Sequence, residues 1–169
     1  MIHLLSMLVL FVFPAIVILA GLKDVTSYTI PNWMPLTLIA AFPLAALAAG
    51  LPLSVVGTDA LVGVVALVAG MAMFAARWIG GGDAKLFAAA ALWLGLPAAM
   101  SYLFFTCLAG GALAGLLLVM RSERFRPVLS AGPAWFVRLA EPGESVPYGV
   151  AIAVGALAAF PMSALAAAH

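Results

Sequence analysis

Gly80-Gly81-Gly82-Asp83-Ala84-Lys85 interrupts a chain that is apolar for many residues on either side of it. Three glycines, a carboxylate and an ammonium stand where the surrounding sequence supplies only hydrocarbon. A carboxylate at membrane depth costs several kcal/mol unless something satisfies or uses it, so an ionisable residue there marks a functional site by default. Asp24 also sits directly after an apolar run, Leu4 to Leu22. These two acids are read here as belonging together.

Composition decides the class. Of 169 residues, 67% are hydrophobic and 8% charged, whereas a soluble domain carries roughly 25% charged residues. Too few polar groups remain to cover a water-facing surface, so the chain reads as an integral membrane protein whose backbone hydrogen bonds close internally. Its apolar runs are rich in Ala, Leu and Val and do not alternate with period two, which excludes a barrel and predicts an all-α helical bundle. A net charge of +1 gives no reason to expect nucleic acid as a partner. The single cysteine, Cys107, lies within an apolar run and reads as a small buried hydrophobe. One cysteine allows no intrachain disulfide and no thiolate zinc site, and His3 and His169 lie at opposite ends of the sequence. No metal and no other cofactor is expected.

About 20 apolar residues span a bilayer. Six spans are predicted, at 3–22, 33–50, 57–77, 84–96, 98–120 and 148–167, within a single domain over 1–169. The first has no basic segment before it and ends in Lys23-Asp24, so it reads as a retained helix and not a cleaved signal. The fourth is short, which implies that the glycines before Asp83 dip into the membrane. Gly95-Leu96-Pro97 then makes a tight turn, pairing helices four and five as an antiparallel hairpin.

Orientation follows from Lys and Arg. All seven basic residues (Lys23, Arg77, Lys85, Arg121, Arg124, Arg126 and Arg138) fall on the side of the linkers 23–32, 78–85 and 121–147, Arg77 at the end of the span that enters the second of them. That side is predicted to be cytoplasmic, with both termini on the extracytoplasmic side. Asp24 then closes one helix and Asp83 opens another at the same face. Asp59 begins helix three on the opposite side and reads as an interface residue or helix cap. The cytoplasmic loop 121–147 carries four Arg, three Glu and four Pro around Trp135-Phe136. It reads as a solvated loop with an interfacial aromatic anchor, or as a basic surface for an acidic partner.

Two acids at one depth in a water-poor site suit aspartic proteolysis. Like charges a few ångströms apart do not both ionise, so the pair shares a proton. One carboxylate activates water, and the other carboxyl polarises the scissile carbonyl. The glycines suit an enzyme backbone that must lie close to an extended peptide. The plainer reading of the same residues is a glycine turn with Asp83 as a helix cap.

Asp24 with Ile30-Pro31-Asn32, then Gly80-Gly81-Gly82-Asp83-Ala84-Lys85-Leu86, then Pro147-Tyr148-Gly149 together resemble the type IV prepilin peptidase family, over nearly the whole chain. The resemblance implies a GxGD aspartic endopeptidase with Asp24 and Asp83 catalytic. Gly80, Gly82, Lys85, Pro31, Asn32, Pro147, Tyr148 and Gly149 would be the supporting motif residues. It also implies a multi-pass protein of the bacterial inner membrane, in contact with lipid. Its partner would be a prepilin or pseudopilin with a hydrophobic N-terminal helix, cut after a glycine at the cytoplasmic face. The compact form is similar to the peptidases of tight-adherence (Flp-type) pili. Larger members carry an N-terminal segment with paired cysteines and also methylate the product. Here the first helix starts at residue 3 and one cysteine is present, so methyl transfer is not expected. Arg121, Arg124 and Arg126 are candidate binders of a glutamate in the mature pilin.

Two other readings use the same acids. Presenilin-like intramembrane proteases also carry GxGD, but their first acid follows a tyrosine, and here Lys23 precedes Asp24. A small ion- or proton-coupled transporter would use the acids as a relay, although the chain shows no internal repeat of the kind many transporters have.

Overall fold

The computed structural model describes residues 2–123 and 132–168. Among them the secondary structure is helical, with no strand. The helices are α1 (Ile2–Ser27), α2 (Trp33–Ala48), α3 (Leu53–Ala75), a 40-residue element Gly81–Met120, α6 (Ala134–Leu139), α7 (Tyr148–Ala159) and α8 (Ala164–Ala167), with a 3₁₀ turn at Phe160–Met162. The 40-residue element is not one rod. Gly95 breaks it with φ 63° and ψ −172°, a conformation essentially confined to glycine. In a straight helix residues 87 and 102 would lie about 22 Å apart. Instead the Tyr102 ring stacks on Phe87 with centroids 5.0 Å apart, and the Tyr102 hydroxyl donates to the Phe87 carbonyl at 3.3 Å. The element is therefore two antiparallel arms, α4 (81–94) and α5 (96–120), folded where the sequence predicts the turn.

The long helices run on past the apolar spans. Helix α1 continues through Lys23 and Asp24 to Ser27, where Thr26 Oγ1 donates to the Leu22 carbonyl at 2.9 Å and Ser27 Oγ to that of Lys23 at 2.8 Å. These hydroxyls back-bond to carbonyls one turn earlier, which keeps them satisfied inside the helix, and the Tyr28 amide closes the last turn on the Asp24 carbonyl at 2.8 Å. Tyr28 then closes the helix in a left-handed conformation, φ 52°. At the other end of the chain, the predicted last span is broken after α7. Pro161 lacks the N–H needed to continue the helix, and Ser163 restarts it by accepting from the Ala166 amide at 3.1 Å.

Four helices are long and apolar enough to cross a membrane: Leu10–Ser27, Leu53–Ala75, the folded Gly81–Met120 and Tyr148–Ala167. Trp33–Ala48 is apolar but shorter. Their outward faces carry Leu61, Val64, Val68, Met71, Leu108 and Leu118, all exposed. Such a surface is stable against lipid and not against water.

The core centres on α4. Trp93 is fully buried, stacks with Phe13 of α1 at 5.4 Å and donates its indole N–H to the Leu38 carbonyl of α2 at 2.8 Å. Phe160 stacks on the other side of Phe13 at 4.8 Å. Helix α3 lies antiparallel against α4, since a Cβ at Gly63 would meet Leu92 Cβ at 3.1 Å and one at Gly70 would meet Ala84 Cβ at 3.1 Å. Small residues permit this close approach of two apolar helices.

Asp59 belongs to this interface. It lies seven residues inside α3, is 1% exposed and abuts the Gly95 kink near the Leu96 amide. The sequence-based expectation of a membrane-interface residue or helix cap is therefore corrected: Asp59 is buried inside the bundle and does not cap its own helix. Leu53-Ser54-Val55-Val56 join the helix ahead of it and carry it into the bundle.

The segment 121–147 is predicted as a loop, yet it holds the short helix α6. Arg121 ties this segment down. Its guanidinium donates to the carbonyls of Leu139 (3.0 Å), Glu144 (2.9 Å) and Ser145 (3.0 Å). Arg138 pairs with Glu144 at 2.9 Å and stacks over the Tyr28 ring at 4.7 Å, joining the segment to the end of α1. The Arg138 guanidinium holds the Glu144 carboxyl below the usual carboxylate range. Charge-assisted hydrogen bonds contribute about 1.5–3 kcal/mol each. Arg121→Ala should therefore accelerate amide hydrogen exchange across 139–145 by more than about tenfold, roughly 1.4 kcal/mol of local opening, while α4 stays protected. Unchanged exchange would show that Arg121 does not hold the segment.

Candidate active site

Asp24 and Asp83 come from helices far apart in sequence and are both buried, at 5% and 8% exposure. Asp24, in the last turns of α1, accepts from the Gly149 amide at 2.7 Å through Oδ2. Asp83, in the first turn of α4, accepts from the Gly80 amide at 3.1 Å through its own Oδ2. This is the returning half of a capping box, with glycine at the cap position supplying no side chain for the other half. Asp83 Oδ1 has no partner among the described residues. The Asp24 carboxyl and the Gly149 amide are both close enough to Asp83 to act on it electrostatically. The Gly149 amide at the start of α7 thus binds Asp24, with Asp83 nearby at the same end of the bundle.

The glycines are where the elements touch. A Cβ on Gly149 would lie 2.9 Å from Asp24 Cβ, Asp24 Oδ2 and Ile30 Cδ1. A Cβ on Gly82 would lie 3.0 Å from Ile30 Cβ and 3.3 Å from the Ile30 carbonyl. The Ile30 side chain is therefore wedged between the N-terminal ends of α4 and α7, and the α1–α2 connection is drawn against both. Gly21, one turn before Asp24, makes room for Ala153 of α7 in the same way, with 3.2 Å from its Cβ position to Ala153 Cβ.

Lys85 and Asn32 complete the contact. Lys85 Nζ donates to Asn32 Oδ1 at 2.8 Å. Asn32 stands at the start of α2 yet makes no side-chain cap there, because its amide oxygen is directed to α4. Pro31 stands between Ile30 and Asn32 in the same connection, and its carbonyl accepts from the Met34 amide at 3.1 Å. Pro147 is fully buried at the start of α7. Tyr148 packs along α5, its ring 3.8 Å from a Cβ position on Gly110.

The segments 24–32, 80–85 and 147–149 thus meet at one end of the bundle. The sequence matches a known family over most of this region: residues 11–115 match the type IV leader peptidase family. The chain belongs to that family. No curated protein and no solved structure matches it. The matched stretch of this leader-peptidase chain contains Asp24, the Gly80–Asp83 segment and the Gly95 hairpin.

Other residues singled out from sequence lie elsewhere. Asp59 sits at the Gly95 end of α4, twelve residues and about 18 Å along the helix from Asp83, and takes no part in the pair. The Arg121 guanidinium is committed to the three carbonyls of the 139–145 segment. Arg124 and Arg126 lie outside the described residues. Cys107 is exposed on α5, and not buried as expected, because it falls on the lipid-facing side of the hairpin. Among the described residues no three His, Cys, Asp or Glu side chains gather into a cluster.

Sequence reading did not foresee that the Gly149 amide would bind Asp24, nor that Gly21 would make room for α7. A backbone donor has no signature of its own. The only clue in the sequence is a glycine at the second position of an apolar helix.

Proposed function

We propose that this member of the leader peptidase family is an aspartic endopeptidase in which Asp24 and Asp83 perform hydrolysis. The observation that carries the reading is the convergence of two buried carboxyls, Asp24 bound by the Gly149 amide and Asp83 by the Gly80 amide, from three segments distant in sequence. A structural cap would need only one of them.

The chemistry follows from that arrangement. One carboxyl is ionised and takes a proton from a water as that water attacks the scissile carbonyl. The other is protonated, hydrogen-bonds the carbonyl oxygen as it becomes an oxyanion, and then protonates the departing amine. The two carboxyls thereby exchange states in each turnover. Gly149 N–H holds Asp24 in orientation, as Gly80 N–H holds Asp83. Lys85, Asn32, Pro31 and Pro147 keep the three segments in register.

The substrate in this reading is a prepilin or pseudopilin, cut after a glycine between a basic leader and an apolar helix, without methylation of the product. The site would face the cytoplasm of a bacterial inner membrane, in a bundle of six helices with both termini on the far side. The charge distribution supports that orientation. Lys85 and Arg138 contact Asn32 and Tyr28 beside the pair, and the antiparallel packing of α3 carries Arg77 to the same end. Positive residues mark cytoplasmic loops.

The test is reconstitution in liposomes with a prepilin, followed by intact mass of the product. The reading requires a new N-terminus directly after the glycine, without the added mass of a methyl group. Failure to cleave, or cleavage elsewhere, contradicts the substrate assignment.

A further inference from the structure

A second feature opens beside the pair. A groove of about 490 Å³ runs between the C-terminal end of α3, the 78–79 linker, α4, α5 and α7, lined among others by Ile79, Phe87, Cys107, Gly110, Gly111 and Tyr148. Its volume is that of a ligand site, and its lining is almost wholly apolar. At its rim Trp78, Leu103 and Cys107 are exposed, so it opens sideways from the bundle and not only at its end.

Its position relative to the carboxyls gives it meaning. Ile79 precedes Gly80, whose amide binds Asp83, and Tyr148 precedes Gly149, whose amide binds Asp24. The groove therefore begins one residue from each hydrogen bond that orients the pair, and continues along α5 into the apolar depth of the bundle. Gly110 is packed against Tyr148 and Ala151, but Gly111 has nothing within 4 Å of its Cβ position among the described residues. The α5 wall is consequently bare backbone where another helix could lie close.

We propose that this groove seats the apolar segment of the substrate that continues from the scissile peptide, admitted from the bilayer between α3 and α5. The proposal rests on the peptidase reading and adds where the substrate's membrane segment lies. A peptide whose carbonyl reaches the carboxyls has its continuing chain directed along Ile79 and Tyr148. The surroundings offered there are almost wholly apolar, so the recognised partner is an apolar helix and not a polar loop. An acyl chain of lipid fits the same lining and is the alternative occupant.

The test uses the protein in liposomes with a synthetic substrate of basic leader, glycine and apolar helix. In Gly111→Leu the new Cβ meets no described atom within 4 Å, the rest of the side chain occupies groove space, and leucine favours the helix over glycine. We expect KM to rise about tenfold, the loss of one seated apolar side chain, with kcat within about twofold of wild type on the same scale. An unchanged KM would assign the groove to lipid and overturn the proposal. Cys107, the single cysteine, supplies an independent readout. With Asp83→Asn, cysteines walked through the substrate should form disulfides with Cys107 on one face of its apolar helix and not in its leader. Equal yield from the leader, or none from the helix, would overturn the proposal. The kinetic arm is read on cleavage whichever residues perform it, so loss of the dyad reading and loss of the groove are separable.

Discussion

Gly149→Ala is expected to lower the cleavage rate by at least about a hundredfold, the scale set when a catalytic group is displaced by about 1 Å. The alanine Cβ would lie 2.9 Å from three atoms at once, Asp24 Cβ, Asp24 Oδ2 and Ile30 Cδ1. Real Cβ atoms do not sit so close to their neighbours, so α7 must retreat from α1. In retreating it takes away the amide that orients Asp24 at 2.7 Å. The backbone at this position is ordinary helix, so alanine adds no torsional strain and the protein should still insert and fold. Gly115→Ala is the matched control, since nothing lies within 4 Å of its Cβ position. The measurement is kcat on one substrate for both variants. Equal activity in the two would show that the α1–α7 contact does not set the geometry of the pair.

The second large effect is on the fold. Gly95 adopts φ 63° and ψ −172°, where any other residue costs on the order of 1–3 kcal/mol. A side chain there would also be driven into the Asp59 carboxylate. Gly95→Val should therefore destabilise the hairpin by about 3 kcal/mol or more, adding the steric conflict to the torsional cost. Thermal unfolding in detergent reads this directly. Gly50→Ala is the comparison, because Gly50 has a similar φ of 64° but open space around it. It should lose only the torsional part. Equal midpoints for the two variants would mean that the Asp59–Gly95 contact does not constrain the fold.

These two glycines show what the sequence exposed and what it hid. The hairpin at Gly95 was legible, because a glycine and Pro97 punctuate an apolar run that is too long for one span. The convergence of Asp24 and Asp83 was legible from charge, since all basic residues fall on the same side and place both acids at one depth. The burial of Asp59 was not legible, because its pocket is created by the kink of a different helix. The five extra residues of α1 were hidden for a similar reason. Lys23 and Asp24 look like the end of a span, but the backbone ladder runs on past them until the Tyr28 amide bonds the Asp24 carbonyl. Helix α6 is six residues long, too short to show any period, and is held by Arg121 from outside and by the contacts of its own Arg138 with Glu144 and Tyr28.

The local contacts explain why the motif residues are of the types they are. Gly82 accommodates the Ile30 backbone, Gly149 accommodates Asp24, and Asn32 gives up its cap to receive Lys85. Each departs from what its own helix would prefer, and each does so to bring the α1–α2 connection against α4 and α7. A bundle built for stability alone would not bury two carboxyls at one end, since an unpaired charge in such surroundings is costly.

The most direct measurement compares Asp24→Asn, Asp83→Asn and Asp59→Asn for cleavage of one prepilin, with membrane insertion checked for each. Asparagine keeps the size of aspartate and an oxygen that still accepts from Gly149 or Gly80, so only the carboxyl is lost. The account predicts that Asp24→Asn and Asp83→Asn each lose at least about a hundredfold in rate, the scale of general acid–base catalysis, while Asp59→Asn still cleaves. Cleavage at the wild-type rate by either Asp24→Asn or Asp83→Asn would contradict it.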